Sequence, residues 1–142
     1  MKSKASKLAK LKKKADCTFS RYIRLKNSVA GYCTCVTCGK KLPIKGIQNG
    51  HYIPRNILIT RYSEDNCHPQ CVGCNVFKSG NLGEYAHYIL KTYGEEKLDE
   101  LHQLKHQTVK FKVYDYEQMI GKWKEEIEDM QVGLEIQNRF DN

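Results

Sequence analysis

The sequence predicts a small α+β domain in which short strands, stapled by a metal, are embedded in several α-helices. Two observations carry that prediction. Cys35-Val36-Thr37-Cys38 and Cys71-Val72-Gly73-Cys74 are Cys-x2-Cys turns separated by 32 residues, a pattern that brings four thiolates onto one tetrahedral zinc ion. Outside these turns, apolar residues recur every three or four positions, the period of a helix. A chain of 142 residues can bury one modest core but not two.

Taken in order, residues 3–29 read as one helix or a broken pair. Leu8, Leu11 and Ala15 form a thin apolar stripe that Phe19, Tyr22, Ile23 and Val29 continue. The first dozen residues carry too little apolar surface to fold alone. Gly31 ends the helix and Gly39 closes the first cysteine turn. Residues 40–48 contain Pro43 and Gly46 and read as a loop, and Asn49-Gly50 is a turn signal ahead of a strand carrying His51. Ile57-Leu58-Ile59 with Tyr62 is a strand or a loop. Residues 66–70 are the return strand into the second cysteine turn, after which Asn75 opens a helix.

From Gly83 the pattern is helical, with Tyr85, Tyr88, Ile89 and Tyr93 on one face and Gly94 as the stop. Residues 95–107 form another helix, with Leu98, Leu101 and Leu104 as its face. Residues 109–113 alternate as a short strand or an extended linker. Tyr116, Met119, Ile120, Trp123, Ile127, Met130 and Leu134 define a long amphipathic helix over 115–137, whose stripe serves as core or as a dimer seam. The chain thus divides into a basic arm (1–16), a four-cysteine core (17–93) and a helical C-terminal region (94–142).

The net charge of +8 is unevenly spread. Residues 1–14 hold seven lysines and no acid, residues 15–93 hold ten basic against four acidic side chains, and residues 94–142 hold seven against twelve. A positive first two thirds suits a polyanion. Lys10, Lys12, Lys13 and Lys14 in the arm are candidate phosphate contacts. So are Arg21 and Arg24, three apart in Phe19-Ser20-Arg21-Tyr22-Ile23-Arg24. Seven cysteines in two Cys-x2-Cys pairs point to metal in a reducing, cytoplasmic compartment rather than to disulfides. Cys33 competes with Cys35 as a ligand through a Cys-x4-Cys turn. Cys35 is preferred, because its two-residue spacing matches Cys71/Cys74. Cys17 and Cys67 read as buried small apolar residues. The sequence contains neither an apolar run of membrane length nor an N-terminal signal core.

A four-thiolate zinc site has no open position and cannot hydrolyse anything itself. Any chemistry belongs to the residues around it. His51, neutral near pH 7, can act as a base toward water. Asn75, and His68 beside it, can hold a hard cation, and Arg55 and Lys78 can meet flanking phosphates. Asn66 stands between them in sequence.

Cys-x2-Cys, then x-His-x-x-Pro, then Asn-x4-Cys-x2-Cys-Asn-x2-Lys resembles the HNH nucleases, which have a zinc-stapled, treble-clef-like ββα-metal core. The resemblance implies that His51 is the general base, that Asn66 braces the loop, and that Asn75 binds a catalytic Mg2+ or Mn2+. It also places zinc on Cys35, Cys38, Cys71 and Cys74. A closer resemblance, from about residue 17 to 105, is to the NinG/Rap family of phage recombination endonucleases. Its motifs are Phe-Ser-Arg-Tyr-Ile-Arg at 19–24, Cys-Val-Thr-Cys-Gly-Lys at 35–40, Gly-His-Tyr at 50–52, Cys-His-Pro-Gln-Cys at 67–71, Cys-Asn at 74–75, Ser-Gly-Asn at 79–81 and Tyr-Gly at 93–94. That family implies structure-specific cleavage of branched DNA, such as D-loops and Holliday junctions, in the host cytoplasm.

One position departs from the HNH pattern. The residue before the histidine is ordinarily a cation-binding Asp, and here it is Gly50. His68 is the expected replacement ligand, with Glu64 and Asp65 behind it. The expected partners are branched or single-strand-containing DNA and a second copy paired through the last helix, with no organic cofactor. The alternatives are a non-catalytic zinc module that binds DNA, and a sequence-specific homing or restriction nuclease.

Overall fold

The structure is a computed structural model and describes residues 3–140. The first two residues of the basic arm and the last two of the C-terminal region therefore lie outside it. Its fold is mixed α+β, mostly helical, with two small sheets.

Helix α1 (Lys4–Lys26) is one unbroken helix. Ser3 caps it, its hydroxyl accepting from the Ser6 amide at 3.2 Å. The described part of the arm and the start of the core therefore share one helix. Two strands, β1 (Tyr32–Thr34) and β2 (Lys41–Pro43), pair antiparallel around the first cysteine turn. The sequence suggested only a loop over the second of them. Gly39, at φ +80°, turns the chain between them, its amide donating to the Cys35 carbonyl at 2.9 Å.

The second sheet holds the candidate site. Strand β3 (Gln48–His51) pairs antiparallel with β4 (Cys67–Gln70), with Gly50 opposite His68 and His51 opposite Cys67. The connection contains helix α2 (Leu58–Arg61), where a strand or loop was expected. The second cysteine turn runs into a single π-helical turn (Gly73–Phe77) with Asn75 in its middle, so Asn75 does not open a long helix. Helices α3 (Leu82–Tyr93) and α4 (Glu95–Leu104) follow, separated by Gly94. Residues 109–112 are an extended linker, not a strand. Helix α5 (Val113–Phe140) completes the described chain.

Three apolar clusters hold these elements. Ala15, Phe19, Tyr22 and Ile23 of α1 pack on Tyr116, Ile120, Trp123 and Ile127 of α5, with Cys67 beneath. Most of the α5 stripe is thus buried within the chain as core, while Leu134 near its end is exposed. Lys7 meets Glu117, Phe19 meets Trp123, and Arg21 shares a cleft with Gln131, so the two helices run parallel. The cysteines pack with Leu42, Ile44 and Ile47. Tyr52, Ile53, Tyr85, Ile89 and Leu101 form the third cluster, behind the β3–β4 sheet. Among the described residues no helix is long and apolar enough to cross a membrane.

Candidate active site

The sulfurs of Cys35, Cys38, Cys71 and Cys74 all lie within 4.8 Å of one another. The Cys38–Cys71 separation is 3.7 Å, and a tetrahedron with metal–sulfur bonds of about 2.3 Å has edges of about 3.8 Å. The four cysteines therefore match a zinc site in both number and spacing. Burial raises the Cys35 thiol, but hydrogen bonds from Thr37 and nearby backbone outweigh it and bring it to about 6. Cys33 stands apart from the cluster, its thiol directed at the Arg24 carbonyl at 3.1 Å. Cys67 is buried as expected, whereas Cys17 is exposed on α1.

Beside this knuckle lies a cavity of about 390 Å³ lined by Asp16, Arg24, Asn49, His51, Arg55, Arg61 and Asn75, among others. A second hollow of about 290 Å³ shares Asn49, His51, Arg55 and Asn75 with it. His51 reaches both from the end of β3. Its Nε2 sits 2.9 Å from the Arg61 carbonyl. A carbonyl can only accept, so Nε2 carries the proton and Nδ1 keeps the lone pair. Burial, with the positive charge of Arg61 and Arg55, holds the imidazole below its ordinary value.

The carbonyl that fixes His51 is itself held in place. Arg61 makes a bidentate pair with Asp16 of α1, Nε to Oδ1 at 2.8 Å and Nη2 to Oδ2 at 2.5 Å. Its Nη1 donates to the Arg55 carbonyl at 2.9 Å, and Tyr62 donates to Asp16 at 2.9 Å. Burial raises the Asp16 carboxyl, but these bonds outweigh it and leave it below its ordinary value. Asn66 is buried and fully engaged. Its Oδ1 accepts from the Ile53 amide at 2.7 Å, and its Nδ2 donates to the carbonyls of Ile53 and Thr60 at 3.0 and 3.2 Å. It ties β4 across the loop that carries Arg61, and it touches neither hollow.

Asn75 uses its Nδ2 on Gln48 Oε1 at 2.8 Å, and so keeps Oδ1 as its acceptor. Asn49, two residues before His51 on the same face of β3, has a buried Oδ1 without a hydrogen-bond partner. Sequence reasoning missed Asn49 and Arg61. The alternation that puts residues 49 and 51 on one face would have flagged the first. Arg61 carried no signal, because its role depends on its backbone carbonyl.

His68 is not part of this constellation. Alternation along β4 turns it to the opposite face from Cys67 and His51. There its Nδ1 lies 2.9 Å from the Tyr85 hydroxyl and its Nε2 2.7 Å from that of Tyr93. Tyr85 gives its proton to the Gly50 carbonyl at 2.8 Å. His68 Nδ1–H therefore donates to Tyr85, and Tyr93 donates to the Nε2 lone pair. With that lone pair occupied, His68 cannot be the cation ligand expected from its sequence position. Glu64 is engaged by Tyr22 and Lys26, and Asp65 by Lys97, so neither replaces it.

The basic residues divide as well. Arg24 and Arg55 line the His51 cavity, although Arg24 also donates to the Ile44 carbonyl at 2.8 Å. Arg21 faces a different cleft, with Cys17 and Lys124, so the two arginines of the 19–24 motif do not act together. Lys78 is exposed after the π-turn, and Lys10, Lys13 and Lys14 are exposed along α1, with Lys12 half-buried.

The family model described as Bacteriophage Lambda NinG protein matches residues 1–132. Protein ninG of Escherichia phage 933W is 31% identical over 97 residues, which are 68% of this chain and 47% of that protein. Protein ninG of Escherichia phage lambda is 29% identical over the same lengths, and that of Salmonella phage P22 is 37% identical over 68 residues, 47% of this chain and 33% of its own. The chain spans about half the length of the first two of these curated relatives. No solved structure matches. With a family model covering nearly all of its length, the chain belongs to the NinG family.

Proposed function

We propose that this protein is an HNH-type, divalent-metal-dependent endonuclease that hydrolyses phosphodiesters in branched or single-strand-containing DNA, in the host cytoplasm. One observation carries the reading. His51 is held by Nε2 with Nδ1 as its lone-pair nitrogen, in a cavity that also contains Asn75 and the arginines 24, 55 and 61.

His51 accepts a proton from water through Nδ1, which burial keeps neutral near pH 7. The Arg61 carbonyl fixes the ring, and the Asp16–Arg61 pair fixes that carbonyl. Arg55 and Arg24 meet DNA phosphates, with Lys78 and the lysines at positions 10, 12, 13 and 14 extending a salt-sensitive, sequence-independent track. The donor set suits a hard cation such as Mg2+ or Mn2+. Asn75 and Asn49 offer amide oxygens, one of them buried and unpartnered, and the substrate phosphate adds negative charge. The cation, when bound, stabilises the charge that develops on the scissile phosphate and leaving oxygen. Zinc on the four cysteines serves only to hold β1–β2 against the π-turn.

The second reading is a zinc module that binds DNA without cutting it. It draws on the absence, among the described residues, of an unpaired carboxylate lining the cavity, since both oxygens of Asp16 are engaged. The test is a cleavage panel of linear, forked, D-loop and four-way DNA with Mg2+ or Mn2+, comparing wild type with His51→Ala. Cutting of branched substrates by wild type alone supports the nuclease. Binding by both proteins without cutting overturns it. Cutting of a linear duplex at one defined site would make the protein a sequence-specific homing or restriction nuclease.

A further inference from the structure

Within and just after the second cysteine turn, the chain points large apolar side chains into water. Val72 is 46% exposed, Val76 54%, Phe77 81% and Leu82 46%. All four fall within eleven residues of sequence. Four exposed large apolar side chains this close in sequence point to a contact surface rather than ordinary scatter.

The backbone beneath them is tightly held. The amides of Lys78, Ser79, Gly80 and Asn81 donate to the carbonyls of Gly73, Val76, Cys74 and Lys78 at 2.9, 3.1, 2.9 and 2.9 Å. Ser79 and Asn81 take φ of 50° and 46°, the left-handed region that non-glycine residues seldom adopt. Asn81 also donates to Cys74 Sγ at 3.6 Å. A strained turn, anchored to the zinc knuckle, thus keeps an aromatic ring in solvent.

Its location narrows the partner. Asn75 in the same π-turn, with Ser79, Gly80 and Leu82 just past it, lines the hollow that holds His51 and Arg55. Lys78 follows Phe77 directly and is exposed. An exposed aromatic ring followed directly by an exposed lysine complements a flat base attached to phosphates. A second copy of this chain would bring the same cations face to face.

We propose that Phe77 is a stacking platform for an unpaired nucleobase next to the phosphate in the His51 cavity, so that this loop selects branched or single-stranded DNA. The phosphate's place rests on the nuclease reading, whereas the stacking itself does not.

The experiment uses the zinc-loaded full chain and four DNAs: a fork with 2-aminopurine in its unpaired arm, the same fork abasic at that position, a single strand, and a linear duplex. Phe77→Ala is expected to weaken binding to the fork and the single strand about tenfold, with less than a twofold change on the duplex. Wild type and Phe77→Tyr should quench 2-aminopurine, and Phe77→Ala should not. Equal losses on fork and duplex overturn the proposal. So does undiminished binding of the abasic fork, or a change in sedimentation of Phe77→Ala, which would make the patch a self-association surface. Quenching by wild type that does not cut any substrate would sink the nuclease reading alone.

Discussion

The space where a Gly50 side chain would stand is filled by Gln70. A Cβ at Gly50 would lie 1.9 Å from Gln70 Oε1 and 2.6 Å from its Cδ. Gln70 is locked in place, its Nε2 donating to Thr37 at 3.1 Å and to the Gly80 carbonyl at 2.9 Å. The carboxylate that HNH enzymes ordinarily carry here is excluded by packing. Gly50→Ala should therefore destabilise the fold by about 1–3 kcal/mol. Adding Gln70→Ala should recover part of that loss, because the two changes share one clash. Denaturant unfolding of the two single variants and the double variant measures the coupling, and strictly additive losses would refute the clash.

On the nuclease reading, cleavage should depend on pH through His51. Burial holds its imidazole below the ordinary value of about 6.5, so the base is already neutral at pH 7. The rate constant kcat/KM should be flat with respect to this group from pH 7 upward. It should fall only as pH drops below 6.5. A profile still rising steeply through pH 7 to 8 would assign the base elsewhere.

Asp16→Asn should damage both stability and catalysis. The change leaves the guanidinium of Arg61, 10% exposed, without its counter-charge, at a cost of about 2–4 kcal/mol. The Asp16 carboxyl lies below its ordinary value, so its contribution is present at neutral pH and is lost as pH falls through the folded-state value. Since Arg61 also positions His51, kcat should fall further than KM changes. The variant's unfolding curve and steady-state kinetics separate the two effects.

His68 gives the opposite check. Burial drives its imidazole down to about 4. Between pH 4 and about 6.5 the unfolded chain takes a proton that the folded chain refuses, so stability rises with pH across that window and is complete above it. The effect is of order 2–3 kcal/mol. His68→Gln should remove it, and stability differences between variant and wild type at pH 5 and 7.5 test this directly.

Metal analysis should return one zinc per chain. Cys38→Ser should lose that zinc and melt roughly 10 °C or more lower. A Cys33→Ser variant should keep it, since Cys33 stands outside the cluster.

What the sequence revealed was whatever depends on local spacing. The cysteine pairs, the helical stripes of α3, α4 and α5, and the strands flanking His51 all follow from residues near one another in the chain. Helix α2 escaped, because Leu58–Arg61 is a single turn with no periodicity to read. His68 misled because a one-residue step along a strand reverses the face, and only the pairing with β3 shows which face carries His51. Asp16 and Arg61 stand 45 residues apart, and nothing in either neighbourhood announces the other.

The parallel docking of α1 on α5 has a consequence for how the chain assembles. Phe19 and Trp123, with ring centroids 4.8 Å apart, belong to helices separated by the whole metal-binding region. Emerging from a ribosome, the apolar face of α1 can meet Tyr62 and Cys67, but it lacks the larger part of its partner until α5 has been made. The cysteine knuckle is complete long before that, and on capturing zinc it can close the intervening chain early and lower the entropic cost of bringing α1 and α5 together. Zinc supply during translation would then set how long the apolar face of α1 stays open to aggregation, quite apart from its effect on the finished protein.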